Sequence, residues 1–410
     1  MKFWSARSFI LYLQAYILGL EIQNYAEYYL IDSEEWRIMK ILFLTNYPAP
    51  YRVHFFNELG KKCELTVAFE ERPEEQNERE MSWFNLDFKN FKAIYLENKK
   101  IYSIKDRKHY KAVIAFSIKK LIREGNFDHI ILGGYATLTA MYAIQYMQFC
   151  RIPYWIEIDG GIKQKRNFIV HALQKHFVSK AKGYFSPSKP ADEYLESLGA
   201  SKDKIFRYPF SSLSKDDILP TILTTQEKEI IRNKLGMKER KIVVSVGQFI
   251  PRKGFDLLIK ASKQINPDVG IYIIGDGITQ KYIDLKEEYD NLDRVHFISF
   301  KSKNELEEYY RASDLLCFPT RYDIWGLVIN EAMANGLPII TTDKCIAGLT
   351  LVDKTNGKII PTDDAEKIAD AINELIISEN LDELAKNSLS KIEKYTYENM
   401  VEDHLRVLVK

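Results

Sequence analysis

Short runs rich in β-branched and aromatic residues alternate with helix-length stretches along this chain, and the alternation occurs twice. In the first half the runs are ILFLT (41–45), LTVAF (65–69), HIILGGY (129–135), YWIEID (154–159), GYFSPS (183–188) and IFRYPF (205–210). In the second half they are KIVVSVGQF (241–249), GIYIIGDG (270–277), VHFISF (295–300), DLLCFPT (314–320) and LPIITT (337–342). Helices are expected between them, over 53–59, 104–124, 137–149 and 167–180, then over 255–264, 280–289, 303–312, 327–335 and 365–378. Strands that are apolar throughout, separated by helices, indicate parallel sheets covered on both faces. The expectation is an α/β chain with two Rossmann-like, doubly wound domains facing a central cleft, over 39–210 and 211–392, with a hinge region at 211–225. Ligands of such sheets bind at the carboxyl ends of the strands. The acidic stretch EERPEEQNERE (70–80) reads as a charged surface loop.

Charge divides along the same line. Residues 39–210 carry 28 Lys and Arg against 19 Asp and Glu, whereas 211–410 carry 27 against 33. A basic first domain suits an anionic partner. The four cysteines, Cys63, Cys150, Cys317 and Cys345, have no zinc or redox spacing, which fits a reducing, cytoplasmic compartment. Phe9 to Leu20 form an apolar run behind Lys2 and Arg7. The run is too short to span a bilayer, and no small-residue cleavage site follows. Residues 1–38 therefore read in three ways: an extension ahead of the domain start at Met39, a surface or membrane helix, or a signal or anchor.

The densest chemistry lies in RYDIWGLVINEAMANGLP (321–338). A strand ends just before it, so 321–325 form the loop at that strand's carboxyl end, and a helix starts near Gly326. Unpaired N–H groups at a helix start favour phosphate, and Gly326 lets the backbone come close. Asp323 and Glu331 are expected to point into one cleft, where carboxylates accept sugar or ribose hydroxyls. Glu331 lies among Leu327, Val328, Ile329, Ala332, Met333 and Ala334, which leaves it little solvent-facing surface. Asn335-Gly336 closes the helix. A second signal is VSVGQFIPRKGFDLLIKA (244–261), where Arg252 and Lys253 precede a helix and suit a diphosphate. Neither a P-loop nor a G-x-G-x-x-G fingerprint occurs, which removes support for ATPase and dehydrogenase readings.

The stretches VGQFIPRKGFDLLI, IIGDG, FISFKSKNELEEYYRASDLLCFPT and DIWGLVINEAMANGLPII resemble glycosyltransferase family 4, the group 1 retaining nucleotide-sugar transferases of GT-B fold. The resemblance runs from about Met39 onward and is most specific over 243–343. That family's E-x7-E motif falls on Asp323 and Glu331, with Asp in place of the first Glu. The resemblance implies that Asp323 holds the donor sugar, Glu331 the ribose, and Arg252 and Lys253 the diphosphate. Gly247, Gly275, Trp325, Gly326 and Leu327 join them on the donor side. It also implies that no metal or other cofactor is needed, and that residues 393–410 form a helix returning to the first domain. Where many members have a Gly-rich loop after the first strand, this chain has NYPAPYR (46–52), and Arg52 is the residue placed to compensate.

On the acceptor side, WIEIDGG puts Glu157 or Asp159 where many members carry a His. Asp159 is the candidate for orienting the acceptor, and a turn-forming Asp-Gly pair accounts for it equally. Residues 161–191 contain seven Lys and Arg and no acid, interleaved with Phe168, Ile169, Leu173, Phe177 and Val178. Such a segment suits an anionic membrane surface, or a helix packed on its own sheet with a solvated basic face. Nucleic acid is not expected, because no recognition motif accompanies the basic segment. The resulting expectation is a cytoplasmic, peripherally membrane-bound retaining glycosyltransferase. It would move a sugar from a nucleotide-diphosphate sugar, a UDP-sugar first, to a glycan or lipid-linked glycan in surface polysaccharide synthesis. The alternatives are a sugar-nucleotide epimerase of GT-B fold and a non-catalytic scaffold subunit of a glycan-assembly complex.

Overall fold

The structure is a computed structural model that describes residues 39–72, 86–105, 108–163, 167–290 and 292–409. Residues 1–38, and with them the three readings of that segment, lie outside the described residues, as does most of the acidic stretch 70–80.

The first domain contains β1 (Lys40–Thr45), α1 (Pro50–Gly60), β2 (Glu64–Phe69), β3 (Lys92–Tyr95), β4 (Lys99–Lys105), β5 (Lys108–Ile114), α2 (Ile118–Glu124), β6 (His129–Gly133) and α3 (Leu138–Cys150). It continues with β7 (Trp155–Glu157), α4 (Phe168–Val178), β8 (Gly183–Ser186), α5 (Lys189–Ser197) and β9 (Ile205–Arg207). The second contains α6 (Thr225–Leu235), β10 (Lys241–Val246), α7 (Phe255–Ala261), β11 (Val269–Ile274), α8 (Gln280–Tyr289), β12 (Val295–Ile298), α9 (Lys303–Ala312) and β13 (Leu315–Phe318). It closes with α10 (Leu327–Ala334), β14 (Ile339–Thr342), α11 (Ile346–Leu351), β15 (Gly357–Ile360), α12 (Ala365–Ile376), α13 (Leu381–Ile392) and α14 (Tyr397–Leu408).

Both main sheets are parallel throughout, in the orders β3-β2-β1-β6-β7-β8-β9 and β12-β11-β10-β13-β14-β15. Their inner strands are buried on both faces: Ile41, Leu42 and Phe43 in one sheet and Ile242, Val243 and Val244 in the other are fully enclosed. This burial is why the strands read as unbroken apolar runs. In each sheet the order reverses beside the first strand, so a crevice opens at the carboxyl ends. Two such sheets make the doubly wound, two-domain architecture expected from the sequence, and α14 returns to pack on α1. There Tyr397 stacks on His54 and His404 lies against Phe55.

Two local expectations are corrected. Residues 104–124 do not form one helix: β4 and β5 make an antiparallel hairpin from Lys99↔Ile114 to Lys105↔Lys108, and helix begins only at Ile118. The β-branched and aromatic residues of KIYSIK and HYKAVI outweigh the lysines between them. Glu70, read as part of a surface loop, is buried at the end of β2.

Candidate active site

Strands β10 and β13 are neighbours in the second sheet, so the loops beyond their carboxyl ends lie side by side. Backbone and side-chain bonds clip them together: Arg321 N–H and the Thr320 hydroxyl both donate to the Arg252 carbonyl, at 2.8 and 3.0 Å. Arg252 and Lys253 are thereby brought to Asp323. Arg252 Nη1 lies 3.0 Å and Lys253 Nζ 2.7 Å from the same oxygen, Asp323 Oδ2. Lys253 also sits over the Phe318 ring at 4.7 Å. The cluster holds two cations and one carboxylate, a net positive charge at the start of α10.

The 323–325 backbone runs beside 344–347. Asp323 N–H donates to Lys344 O, Ile346 N–H to Asp323 O, and Ala347 N–H to Trp325 O. Gly326 then turns into α10 with φ 107°, and a side chain there would press on Cys345 Sγ at 2.9 Å. Glycine is therefore required both by the backbone angle and by the space. Gly247 and Gly275 follow β10 and β11 directly, at the same edge. Leu327 is the first residue of α10.

Three residues have partners that the sequence did not show. Glu331 does not share a side-chain partner with Asp323. Its carboxylate accepts from Ser212 Oγ at 3.2 Å and Tyr310 OH at 3.1 Å, which ties α10 to the segment joining the domains. Burial pushes its pKa up, against the Tyr310 and Ser212 hydrogen bonds. Trp325 is buried, its indole N–H donating to Asn330 Oδ1 at 2.8 Å and its ring edge-on to Phe210 at 5.4 Å. Its side chain packs in the joint between the domains, beside the Asn330–Phe210 contact and out of water. Arg52, expected near the diphosphate, is buried at 4% exposure and committed elsewhere.

That commitment forms a second network, at the carboxyl end of β7 in the first domain. Arg52 pairs through Nη1 with Glu157 Oε1 and through Nη2 with Asp159 Oδ1. Tyr51 OH donates to Asp159 Oδ2 at 2.8 Å. Glu157 Oε2 meets His404 Nε2 from α14 at 2.9 Å. Burial alone would raise the pKa of Glu157, but Arg52 and His404 hold it at about 2. Burial raises that of Asp159, with Glu157 adding to the rise and Arg52 opposing it. The Asp159 carboxylate is thus engaged by side chains of α1, which a turn-forming role alone does not require. Gly160 follows at φ 149°, and a Cβ there would meet the Ile324 carbonyl oxygen at 1.8 Å. The Asp159 loop and the Asp323 loop therefore touch across the cleft.

Sequence reasoning missed His404, Tyr51, Ser212 and Tyr310 as members of these networks. Of their partners, Glu331 carried a signal through its motif, Glu157 and Asp159 through their place at a strand end, and Arg52 through the loop that follows β1. It also missed Glu70. Burial pushes this carboxyl up to about 7, Thr137 donates to Oε1 at 2.6 Å, and Oε2 finds no partner.

Helix α4 lies within the basic segment 161–191. It buries Gln174, Phe177 and Val178 and exposes Phe168 (83%), Ile169 (73%), Val170 and Leu173. Among the described residues no helix is long and apolar enough to cross a membrane, and no group of three or more His, Cys, Asp or Glu is placed to hold a metal ion.

Comparison with known proteins bears on both domains. Residues 227–397 match the family model described as "Glycosyl transferases group 1". D-inositol 3-phosphate glycosyltransferase of Mycobacteroides abscessus is 31% identical over 165 residues, 38% of this chain and 37% of that protein. Lipopolysaccharide glucosyltransferase WaaG of Escherichia coli is 31% identical over 138 residues, 32% of this chain and 36% of that protein. The matches thus span little more than a third of these two curated relatives. In three dimensions the likeness is wider. HepE of Anabaena in complex with UDP superposes with a TM-score of 0.73 at 16% identity, over 90% of this chain and 100% of that one. WaaG does so with a TM-score of 0.63 at 16% identity, over 90% and 99%. In sequence, residues 227–397 are similar to the group 1 glycosyl transferases, and in fold the described chain is like HepE and the glycosyltransferase WaaG, two facing parallel-sheet α/β domains.

Proposed function

We propose that this chain is a retaining glycosyltransferase of family 4. It transfers a sugar from a nucleotide-diphosphate sugar, a UDP-sugar in the first instance, to a glycan or lipid-linked glycan during surface polysaccharide synthesis. The observation that carries the reading is the convergence of Arg252 and Lys253 on one oxygen of Asp323 at the start of α10. Two cations against one carboxylate leave positive charge for a diphosphate to take up. As the sugar–phosphate bond breaks, negative charge grows on the leaving diphosphate. Arg252, Lys253 and the unpaired N–H groups at the start of α10 are aimed where it grows. Asp323, released from the cations, then accepts hydrogen bonds from the donor sugar. The reaction needs no resident metal in this reading, because side chains and helix supply the positive charge. The leaving phosphate takes the acceptor proton on the face it departs from, and Asp159 orients the acceptor hydroxyl.

The exposed apolar face of α4, inside a segment with no acidic residue, supports docking on the anionic inner face of the cell membrane. A lipid-linked acceptor would be presented there.

Thermal unfolding of the chain with UDP, GDP, ADP or dTDP, beside the Glu331→Ala variant, tests the site. A nucleotide at about 100 times its dissociation constant adds roughly 2.7 kcal/mol to the folded state. UDP is expected to stabilise the wild type, with a smaller effect on the variant. A wild type that none of the four nucleotides stabilises would sink the donor-site reading and favour the scaffold alternative.

A further inference from the structure

The last helix does more at position 404 than packing requires. Tyr397, Met400, Val401, Val407 and Leu408 are buried and account for the apolar docking of α14. His404 lies fully enclosed among Phe185 (4.1 Å between ring centroids), Tyr208 (4.9 Å) and Phe55 (5.1 Å). A Phe or Leu would fill such a pocket at lower cost, since a buried polar ring must be paired. Both ring nitrogens face acceptors: Nδ1 is 2.7 Å from the Met400 carbonyl oxygen and Nε2 is 2.9 Å from Glu157 Oε2. A neutral imidazole donates from one nitrogen only, so the imidazolium is the form that satisfies both.

From His404 a chain of groups leads to the cleft, each holding two partners. Glu157 divides its oxygens between His404 and Arg52, Arg52 divides its guanidinium between Glu157 and Asp159, and Asp159 divides its carboxylate between Arg52 and Tyr51. With the imidazolium the chain is balanced, two cations against two carboxylates. With a neutral residue at 404, one guanidinium must serve two carboxylates. Arg52 is then drawn toward Glu157, the more deeply buried of the two, and Asp159 loses its anchor. Asp159 adjoins Gly160, which touches the donor-side loop at Ile324. A shift there is felt where the acceptor meets the donor.

We propose that His404 is a positioning residue: acting through Glu157 and Arg52, it fixes the Asp159 carboxylate at the acceptor side of the cleft. This inference rests on the transferase reading and on the acceptor role of Asp159 given above. It makes the final helix part of the reaction centre's scaffolding in a defined electrostatic sense, beyond its role as a strap.

The full chain carrying His404→Phe, which keeps the aromatic packing, and His404→Gln, whose amide N–H can still reach Glu157, tests it. Binding is probed with UDP, and turnover with UDP-glucose and water as the minimal acceptor. Relative to wild type, His404→Phe is expected to bind UDP within about twofold and to keep its KM for UDP-glucose, while kcat falls roughly 10- to 100-fold. His404→Gln recovers part of kcat. Equal kcat in all three proteins overturns the proposal. So does a parallel loss of UDP binding and kcat in both variants, which is the signature of a strap alone. Ring-nitrogen resonances of histidine-labelled protein, assigned with His404→Gln, read the network without substrate. Two protonated nitrogens are expected, since both face acceptors, and a single one overturns it. A wild type that neither binds UDP nor turns over donor overturns the transferase reading and the positioning role with it, while the ring spectrum still reports separately on the buried pairing.

Discussion

The two sides of the cleft hold charge in opposite ways. On the donor side, Arg252 and Lys253 share one oxygen of Asp323, positive charge is in excess, and the Arg252 side chain is 42% exposed. On the side proposed for the acceptor, Glu157 lies between His404 and Arg52, and Arg52 between Glu157 and Asp159. Three of the four are nearly or fully enclosed, and Glu157 and His404 have no exposed surface at all. The first arrangement is incomplete in charge and reachable from solvent, as a site awaiting an anion must be. The second is complete in itself and dry, as a scaffold must be that holds one carboxylate at a fixed angle. A polar cluster in a cleft therefore declares its role through its charge balance as much as through its residue types.

Breaking the closed network should cost the most. Arg52→Met leaves buried Glu157 with His404 alone and Asp159 without its cation, a defect worth about 3–5 kcal/mol. Urea unfolding should show that loss, whereas Arg252→Met, which removes a guanidinium 42% exposed and leaves Asp323 paired with Lys253, should cost no more than about 1 kcal/mol. Equal costs would erase the distinction between the two sides. The donor cluster should declare itself in rate. Lys253→Met is expected to lower kcat for sugar transfer by roughly 10²- to 10³-fold, about 2.7–4 kcal/mol of barrier, since it removes a charge aimed at the leaving group. Its unfolding midpoint should stay close to wild type, and a variant that loses stability and keeps its rate would reverse the assignment of the two clusters.

Much of this is legible in the sequence, and for identifiable reasons. Parallel strands covered on both faces leave unbroken apolar runs, so ILFLT and KIVVSV announce themselves. Loops beyond such strands gather at one edge, so Arg252, Lys253, Asp323 and Asp159 are found from position alone. Strand order is not written so locally. That β10 neighbours β13, and so brings Lys253 onto Asp323, follows only from the assembled sheet. The β4–β5 hairpin escapes because the sequence between KIYSIK and KHYKAVI is Asp-Arg, without the Gly or Asn that marks a two-residue hairpin loop. His404 escapes because 247 positions separate it from Glu157. A lone His on an apolar helix face looks like any core residue until its partner arrives from the other end of the chain. The partners of Trp325 and Glu331 escape for a related reason: a motif gives the order of residues, and the joint between domains decides which side chains each one meets.

A third carboxylate sharpens the comparison at the smallest scale. Glu70 is buried like Glu157 and follows directly on a strand of the same sheet, yet its side-chain hydrogen-bond donor is a hydroxyl, its charged neighbour is Glu71, and one oxygen has no partner. Burial pushes its pKa up to about 7, where Arg52 and His404 hold Glu157 at about 2. The two groups should move stability in opposite directions along the pH axis. For Glu157, with its folded pKa below the unfolded one, the stabilisation is present above about pH 4.5 and is lost as pH falls toward 2. For Glu70, with its folded pKa above the unfolded one, stability is full below about pH 4.5 and declines as pH rises to 7, because the unfolded chain ionises first. A gap of about 2.5 pH units corresponds to at most about 3 kcal/mol. Glu70→Gln keeps the size of the side chain and cannot ionise. It should therefore unfold like wild type at pH 4 and be more stable than wild type at pH 8, by about 1–3 kcal/mol. Urea unfolding at the two pH values decides the matter. A variant no more stable than wild type at pH 8 would mean that the carboxylate gains a partner on ionising, and that absence of a cation is not what separates Glu70 from Glu157.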